Sequence, residues 1–192
     1  MFVAVANSFR DPFTLYELDI RSLTLNLATG PSLDVTATLS NGRASYILFQ
    51  HLVANLSGLG EFSEGGDSDL VDEAGRGYEV KSYRDPELWS RPTWDLFHTS
   101  ASSTFGPNNH GPRIKQLLRE DAYDEALEIC MRSGYDKNAF YVYTNTGGFV
   151  PEIPFRYFII PTQTVLDTLS RTDPRQISRR SLLALLTDTV RI

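Results

Sequence analysis

A chain of 192 residues is long enough for one domain with its own core and short for two. Its 41% apolar and 22% charged residues are the balance of a globular protein, and no run approaches the ~18 apolar residues that a membrane span requires. The net charge of −6 counts against a DNA enzyme, since nucleic-acid affinity comes mostly from Lys and Arg neutralising phosphates, and a lone cysteine, Cys130, excludes an internal disulfide and a cysteine-based zinc site.

The N-terminal run Met1 to Asn7 has no basic flank and is too short for a secretory signal, which points to the cytoplasm. Phe2 to Phe9 has the composition of a strand. Leu23, Leu25 and Leu27, then Leu33, Val35, Ala37 and Leu39, alternate at period two across Thr29-Gly30-Pro31, the pattern of a hairpin. Residues 13–27 also fit a helix, with Leu15, Leu18 and Leu25 on one face. A helix is expected from an N-cap at Ser40 or Asn41 to about Leu56, with Tyr46, Leu48, Phe49, Leu52, Val53 and Leu56 on its apolar side and Gly58 as its stop. His51 on that helix reads as a structural or exposed side chain. Glu61 and Glu64 follow in a glycine-rich loop.

The informative stretch is 66–83. Leu70-Val71 and the β-rich run Tyr78 to Tyr83 flank a turn marked by Gly75 and Gly77, the signature of a hairpin. A turn centred near Gly75 sets Asp69 roughly opposite Lys81. Alternation then puts Glu79 and Lys81 on one face of the strand and Tyr78, Val80 and Ser82 on the other. Two carboxylates and an ammonium converge on a small patch. Mg²⁺ takes hard oxygen ligands and is commonly held by one or two carboxylates, with water and phosphate completing the shell. Asp69 and Glu79 are the candidate metal ligands. Lys81 is the candidate to orient a water nucleophile or to offset charge building up on a phosphate. The chain has three lysines against fifteen arginines, and one of the three stands in Glu79-Val80-Lys81. The competing interpretation of these charges is a solvated sheet edge.

Asp69, nine intervening residues, then Glu79-Val80-Lys81 resembles the PD-(D/E)xK nuclease motif. The Val71-Asp72 step, the Gly turn and the Tyr78-Glu79-Val80-Lys81-Ser82 run are similar to PvuII-type type II restriction endonucleases over about twenty residues. A weaker likeness extends upstream through Asn41-Gly42, Leu48, Gln50, Leu52 and Gly58-Leu59. The sequence departs from the motif in its first half: Ser68, not Pro, precedes Asp69. Asp67 therefore competes as first metal ligand, and Glu64 and Asp67 are accessory candidates. The resemblance implies a restriction-endonuclease-like α/β/α core with a mixed central sheet and an added N-terminal segment. It also implies Mg²⁺, double-stranded DNA as substrate and a homodimer.

Downstream, residues 83–93 are broken by Pro86 and Pro92, with Trp89, Trp94, Leu96 and Phe97 as packing anchors. The polar run 97–110 is either a surface loop or a DNA-recognition segment. His98, Ser100, Asn108, Asn109 and His110 carry groups suited to base edges or phosphates. Helices are expected over Arg113 to Arg119 and over Tyr123 to Met131, the second capped by Asp121 and ended by Gly134, with Cys130 a buried thiol. Strands are expected over Phe140 to Tyr143 and Phe155 to Ile160, joined through Thr146-Gly147-Gly148. A short helix over Gln163 to Leu169 and a closing helix over Ser181 to Val190 complete an α/β order. The division expected is a single domain over 1–192, with an extension or hairpin over 1–39, a nuclease core over 40–170 and a C-terminal helix within 171–192. The favoured function is a Mg²⁺-dependent type II restriction endonuclease. The alternatives are a repair or structure-selective DNA nuclease of the same superfamily, and a non-enzymatic binding or assembly domain.

Overall fold

The computed structural model describes residues 9–19, 24–25, 33–34, 42–61, 68–83, 93–95, 110–145 and 154–192. In chain order these form β1 (Thr14–Leu18), β2 (Thr24–Leu25), β3 (Leu33–Asp34), α1 (Gly42–Ser57), β4 (Gly60–Glu61), β5 (Leu70–Val71), β6 (Gly77–Tyr83) and β7 (Thr93–Asp95). Then come α2 (Gly111–Arg119), α3 (Tyr123–Arg132), β8 (Phe140–Asn145), β9 (Phe155–Pro161), α4 (Thr162–Asp167), β10 (Gln176–Ser178), α5 (Arg179–Leu183) and β11 (Asp188–Arg191). Among the described residues, seven strands make one mixed sheet in the order β11-β1-β9-β8-β6-β5-β4. The β6–β8 and β1–β11 pairs are parallel and the other neighbours antiparallel.

β8 and β9 sit at the centre because they have two apolar faces to bury. Alternation divides them cleanly. Val142, Tyr157 and Ile159 join Tyr78, Val80 and Leu70 on one face, where Phe49, Val53 and Ala54 of α1 cover them. Tyr141, Tyr143, Phe158 and Ile160 join Tyr83 on the other, under Ile114 and Leu117 of α2 and Ala126 and Cys130 of α3. A sheet buried on both faces gives near-continuous hydrophobic strands, and Phe-Ile-Ile in β9 is such a run. The Cys130 thiol is fully buried, and burial pushes its pKa up to about 11, so it packs as a small apolar group.

The helix and strand expectations for α1, α2, α3, β8 and β9 match the described elements to within a few residues. Gly58 ends α1 with φ +70°, a conformation that costs glycine little. Three expectations are corrected. Residues 13–27 are not one helix, because Thr14–Leu18 pairs in register with β9 and β11 inside the sheet. The hairpin expected over 23–39 is met where it is described, by the antiparallel ladder Thr24↔Asp34 and Leu25↔Leu33. Asp121 does not cap α3: Ala122 holds the N-cap position and Asp121 takes the left-handed φ of 56° that turns the chain between the helices. The closing helix stops at Leu183, and Asp188–Arg191 is a strand. There the exposed backbone edge of β1 overrides a helical pattern of leucines. Glu17 also joins three strands, accepting from Arg156 at 2.5 Å and from Arg191 at 3.3 Å. The β7–β10 pair, Gln176↔Asp95 to Ser178↔Thr93, has no counterpart among the sequence expectations. The strand proposed over Phe2 to Phe9 lies outside the described residues, save Phe9, which is not in a strand.

The turn between β5 and β6 is organised by one carboxylate. Asp72 Oδ1 accepts from the backbone N–H groups of Ala74 and Arg76, and Oδ2 from Arg76 Nε at 2.7 Å. Gly75 supplies the left-handed step, φ +75°. Burial opposes ionisation of Asp72, but the hydrogen bonds and charge of Arg76 and the Ala74 N–H outweigh it and hold the carboxyl below its usual 3.8. A depressed folded value means stability that is present at neutral pH and lost as pH falls through that value. Asp72→Asn should therefore melt below the parent at pH 7, with the gap closing as pH falls through the depressed value. A gap independent of pH in a melting series would contradict this.

Candidate active site

Hairpin register decides which groups meet. Leu70 pairs with Tyr78 and Val71 with Gly77, so the reversal is centred on Ala74, one residue before Gly75. The Asp69 N–H donates to the Tyr78 carbonyl at 3.1 Å. Asp69 thus lies beside Tyr78 and Glu79, not opposite Lys81 as the turn at Gly75 implied. Its carboxylate turns to the next peptide of β6: Oδ2 accepts from the Val80 N–H at 2.7 Å. Gln50 of α1 donates to the Asp69 carbonyl at 3.2 Å, so the helix before the hairpin helps hold this residue.

Lys81 and Glu79 are two residues apart on β6 and emerge on the same face, as expected. Lys81 Nζ lies 2.6 Å from Glu79 Oε1. The Lys81 side chain is 10% exposed and that of Glu79 18%. An ammonium so withdrawn from water is tolerated because it is paired. In the parallel ladder Lys81 stands next to Tyr143, and Tyr143 stacks on Phe158 across the β8–β9 pair with centroids 5.4 Å apart. Burial raises the Tyr143 hydroxyl well above its ordinary value, which keeps it neutral beside the ion pair.

A residue with no motif signal completes the cluster. Asn138 precedes β8, is 3% exposed, and donates from Nδ2 to Glu79 Oε2 at 3.1 Å. Its Oδ1 accepts from Ser68 Oγ at 2.6 Å. An asparagine just before a strand reads in a sequence as a turn residue, and nothing local marks it as a partner of a glutamate 59 positions earlier.

The donor set suits a hard divalent cation. Asp69 and Glu79 stand beside each other in the hairpin register, and two carboxylates are as many as Mg²⁺ needs when water and phosphate fill the remaining positions. Each carboxylate oxygen carries two lone pairs, so the hydrogen bonds to Lys81, Asn138 and Val80 leave acceptor capacity for an ion. Among the described residues no group of three or more His, Cys, Asp or Glu is placed to hold a metal. Glu64 and Asp67, the accessory candidates, lie outside the described residues, as do His98, Ser100, Asn108 and Asn109 of the proposed recognition segment. His110 is described. It occupies the N-cap position of α2 without a side-chain capping bond, and its carbonyl accepts from Ile114 at 2.9 Å. α2 packs on the face from which Glu79 and Lys81 emerge.

No protein family, curated protein or solved structure matches this chain. No helix among the described residues is long and apolar enough to cross a membrane.

Proposed function

We propose that the chain is a Mg²⁺-dependent endodeoxyribonuclease of the PD-(D/E)xK type, acting as a cytoplasmic type II restriction enzyme on duplex DNA. What supports this reading is the hairpin register that sets Asp69 beside Glu79, with the Asp69 carboxylate on the Val80 N–H and Lys81 paired to Glu79. The element order among the described residues adds support: a helix, a three-strand meander that holds the motif, the short strand β7, two helices, then a strand parallel to β6. A mixed α/β order of this kind is compatible with the fold that the motif resemblance implies.

In this reading Asp69 and Glu79 hold the cation. A bound Mg²⁺ supplies Lewis acidity toward a phosphoryl oxygen and lowers the pKa of a coordinated water. Lys81, pinned to Glu79, presents its ammonium where negative charge grows on the phosphate and donates to the attacking water. The water oxygen bonds to phosphorus and gives up one proton to solvent, and the P–O3′ bond breaks as O3′ takes up a proton from solvent, leaving a 5′-phosphate and a 3′-hydroxyl. His110, with Asn108, Asn109, His98 and Ser100, would read bases or phosphates. A homodimer would present two sites across a two-fold axis to the two strands of a palindrome.

The test is digestion of a sequenced bacterial genome with the purified protein and Mg²⁺. Discrete fragments with 5′-phosphate ends at one short sequence are expected. Nicks without a fixed sequence would favour a repair or structure-selective nuclease, and intact DNA in both Mg²⁺ and Mn²⁺ would overturn the proposal. One observation favours a non-enzymatic binding domain instead: both Glu79 oxygens already accept hydrogen bonds, from Lys81 and Asn138. Titration with Mn²⁺ separates the two, since a closed ion pair of purely structural purpose takes up none.

A further inference from the structure

We propose that Asn138 is a positioning residue for the metal-holding carboxylate Glu79, and that Ser68, standing where the motif has proline, is its anchor. This rests on the nuclease reading of Asp69, Glu79 and Lys81.

The hydrogen bonds run in one direction. A carboxylate only accepts, so the Asn138 amide must turn its Nδ2 toward Glu79 Oε2, at 3.1 Å. That leaves Oδ1 facing Ser68, whose hydroxyl must donate, at 2.6 Å. Ser68 adjoins Asp69, so two side chains link the β5 arm of the site to the carboxylate on β6. The backbone of Asn138 is fixed as well. Its carbonyl accepts from Thr162 Oγ1 at 2.6 Å, and the next N–H, of Ala139, donates to the Gly77 carbonyl at 2.9 Å.

The pair also occupies a space that glycine keeps open. A Cβ on Gly77 would sit 2.1 Å from Ser68 Oγ and 2.5 Å from Asn138 Oδ1. Gly77 is two residues before Glu79 on the same strand, hence on the same face. The glycine that looked like a turn signal therefore admits the Ser68–Asn138 link beside the carboxylate. Glu79 is thus held from two sides, by Lys81 on Oε1 and by Asn138 on Oε2. Such outer contacts set the direction in which a carboxylate presents its remaining lone pairs, and their removal commonly costs 10- to 100-fold in metal affinity or activity.

The test compares the parent with Asn138→Ala, Ser68→Ala and the double variant, each checked for folding by its melting curve. Mn²⁺ affinity is read from the electron paramagnetic resonance signal of the free ion, alongside kcat and KM for DNA cutting. Asn138→Ala should weaken Mn²⁺ binding about 10-fold or more, and Ser68→Ala about 3-fold. The double variant should be no weaker than Asn138→Ala, because Ser68 acts through Asn138. In each, kcat should fall with KM for DNA little changed. A parent that binds Mn²⁺ and cuts, with a folded Asn138→Ala that binds Mn²⁺ equally well, would overturn the positioning role and leave the nuclease reading standing. Should Asn138→Ala not fold, Ser68→Ala with parental Mn²⁺ affinity would overturn it in the same way. A parent that takes up no Mn²⁺ would sink both.

Discussion

Lys81→Ala is expected to lower DNA cutting about 10²- to 10³-fold, the usual cost of removing one group that stabilises developing charge. Loss of the ammonium leaves Glu79 with its Asn138 hydrogen bond, so the carboxylate retains one partner. Lys81→Arg is the sharper variant. Arginine keeps the charge but spreads it over a planar fork, stays protonated and fits poorly in a place sized for one Nζ at 2.6 Å from Glu79. It should also lose at least 10-fold in kcat. Single-turnover cutting of the cognate fragment measures both. A Lys81→Ala protein that cuts like the parent would remove Lys81 from the chemistry.

The largest stability effect is expected at Phe158. It is fully buried, pairs with Tyr143 across the central β8–β9 ladder and stacks on it at 28° between ring planes. Tyr143 in turn neighbours Lys81. Phe158→Ala removes a ring from a core that cannot collapse around the gap, since backbone ladders hold both flanking strands. It should cost about 3–5 kcal/mol, a large share of the roughly 5–15 kcal/mol available to a domain. Urea denaturation reads this directly. A loss below about 1 kcal/mol would mean that the site face is far less rigid than its packing implies. Since the proposed catalytic groups rest on that face, a Phe158→Ala protein that still folds should also cut more slowly.

The elements that were legible in the sequence are those whose signal is local. The aliphatic step Leu70-Val71, Gly75 and the alternating run after it mark the hairpin without help from the rest of the chain. The apolar face of α1 and the β-rich runs of β8 and β9 are of the same kind. What escaped depends on partners distant in sequence. β11 is a strand because β1 offers it an edge and Glu17 an ion pair. β10 depends on β7 and on a bridge from Ile177 to Leu169. Asn138 acquires its role from Glu79 and Ser68, 59 and 70 positions away.

The one-residue error in the hairpin is instructive in physical terms. Glycine content placed the turn at Gly75. The carboxylate of Asp72, which gathers the Ala74 and Arg76 N–H groups, places it at Ala74. The same carboxylate was visible in the sequence, as an Asp that can bond its own backbone two residues on. Moving the centre by one residue shifts the pairing by two, and brings Asp69 from Lys81 to Glu79, the carboxylate with which it is to share a cation.

The measurement closest to that claim is anomalous diffraction from crystals of the parent protein soaked in Mn²⁺. The account predicts an anomalous peak bridging the carboxylates of Asp69 and Glu79, within coordination distance of both, and its disappearance in Glu79→Gln. Density that leaves this position empty at saturating Mn²⁺, with Lys81 and Glu79 still locked together, would contradict it.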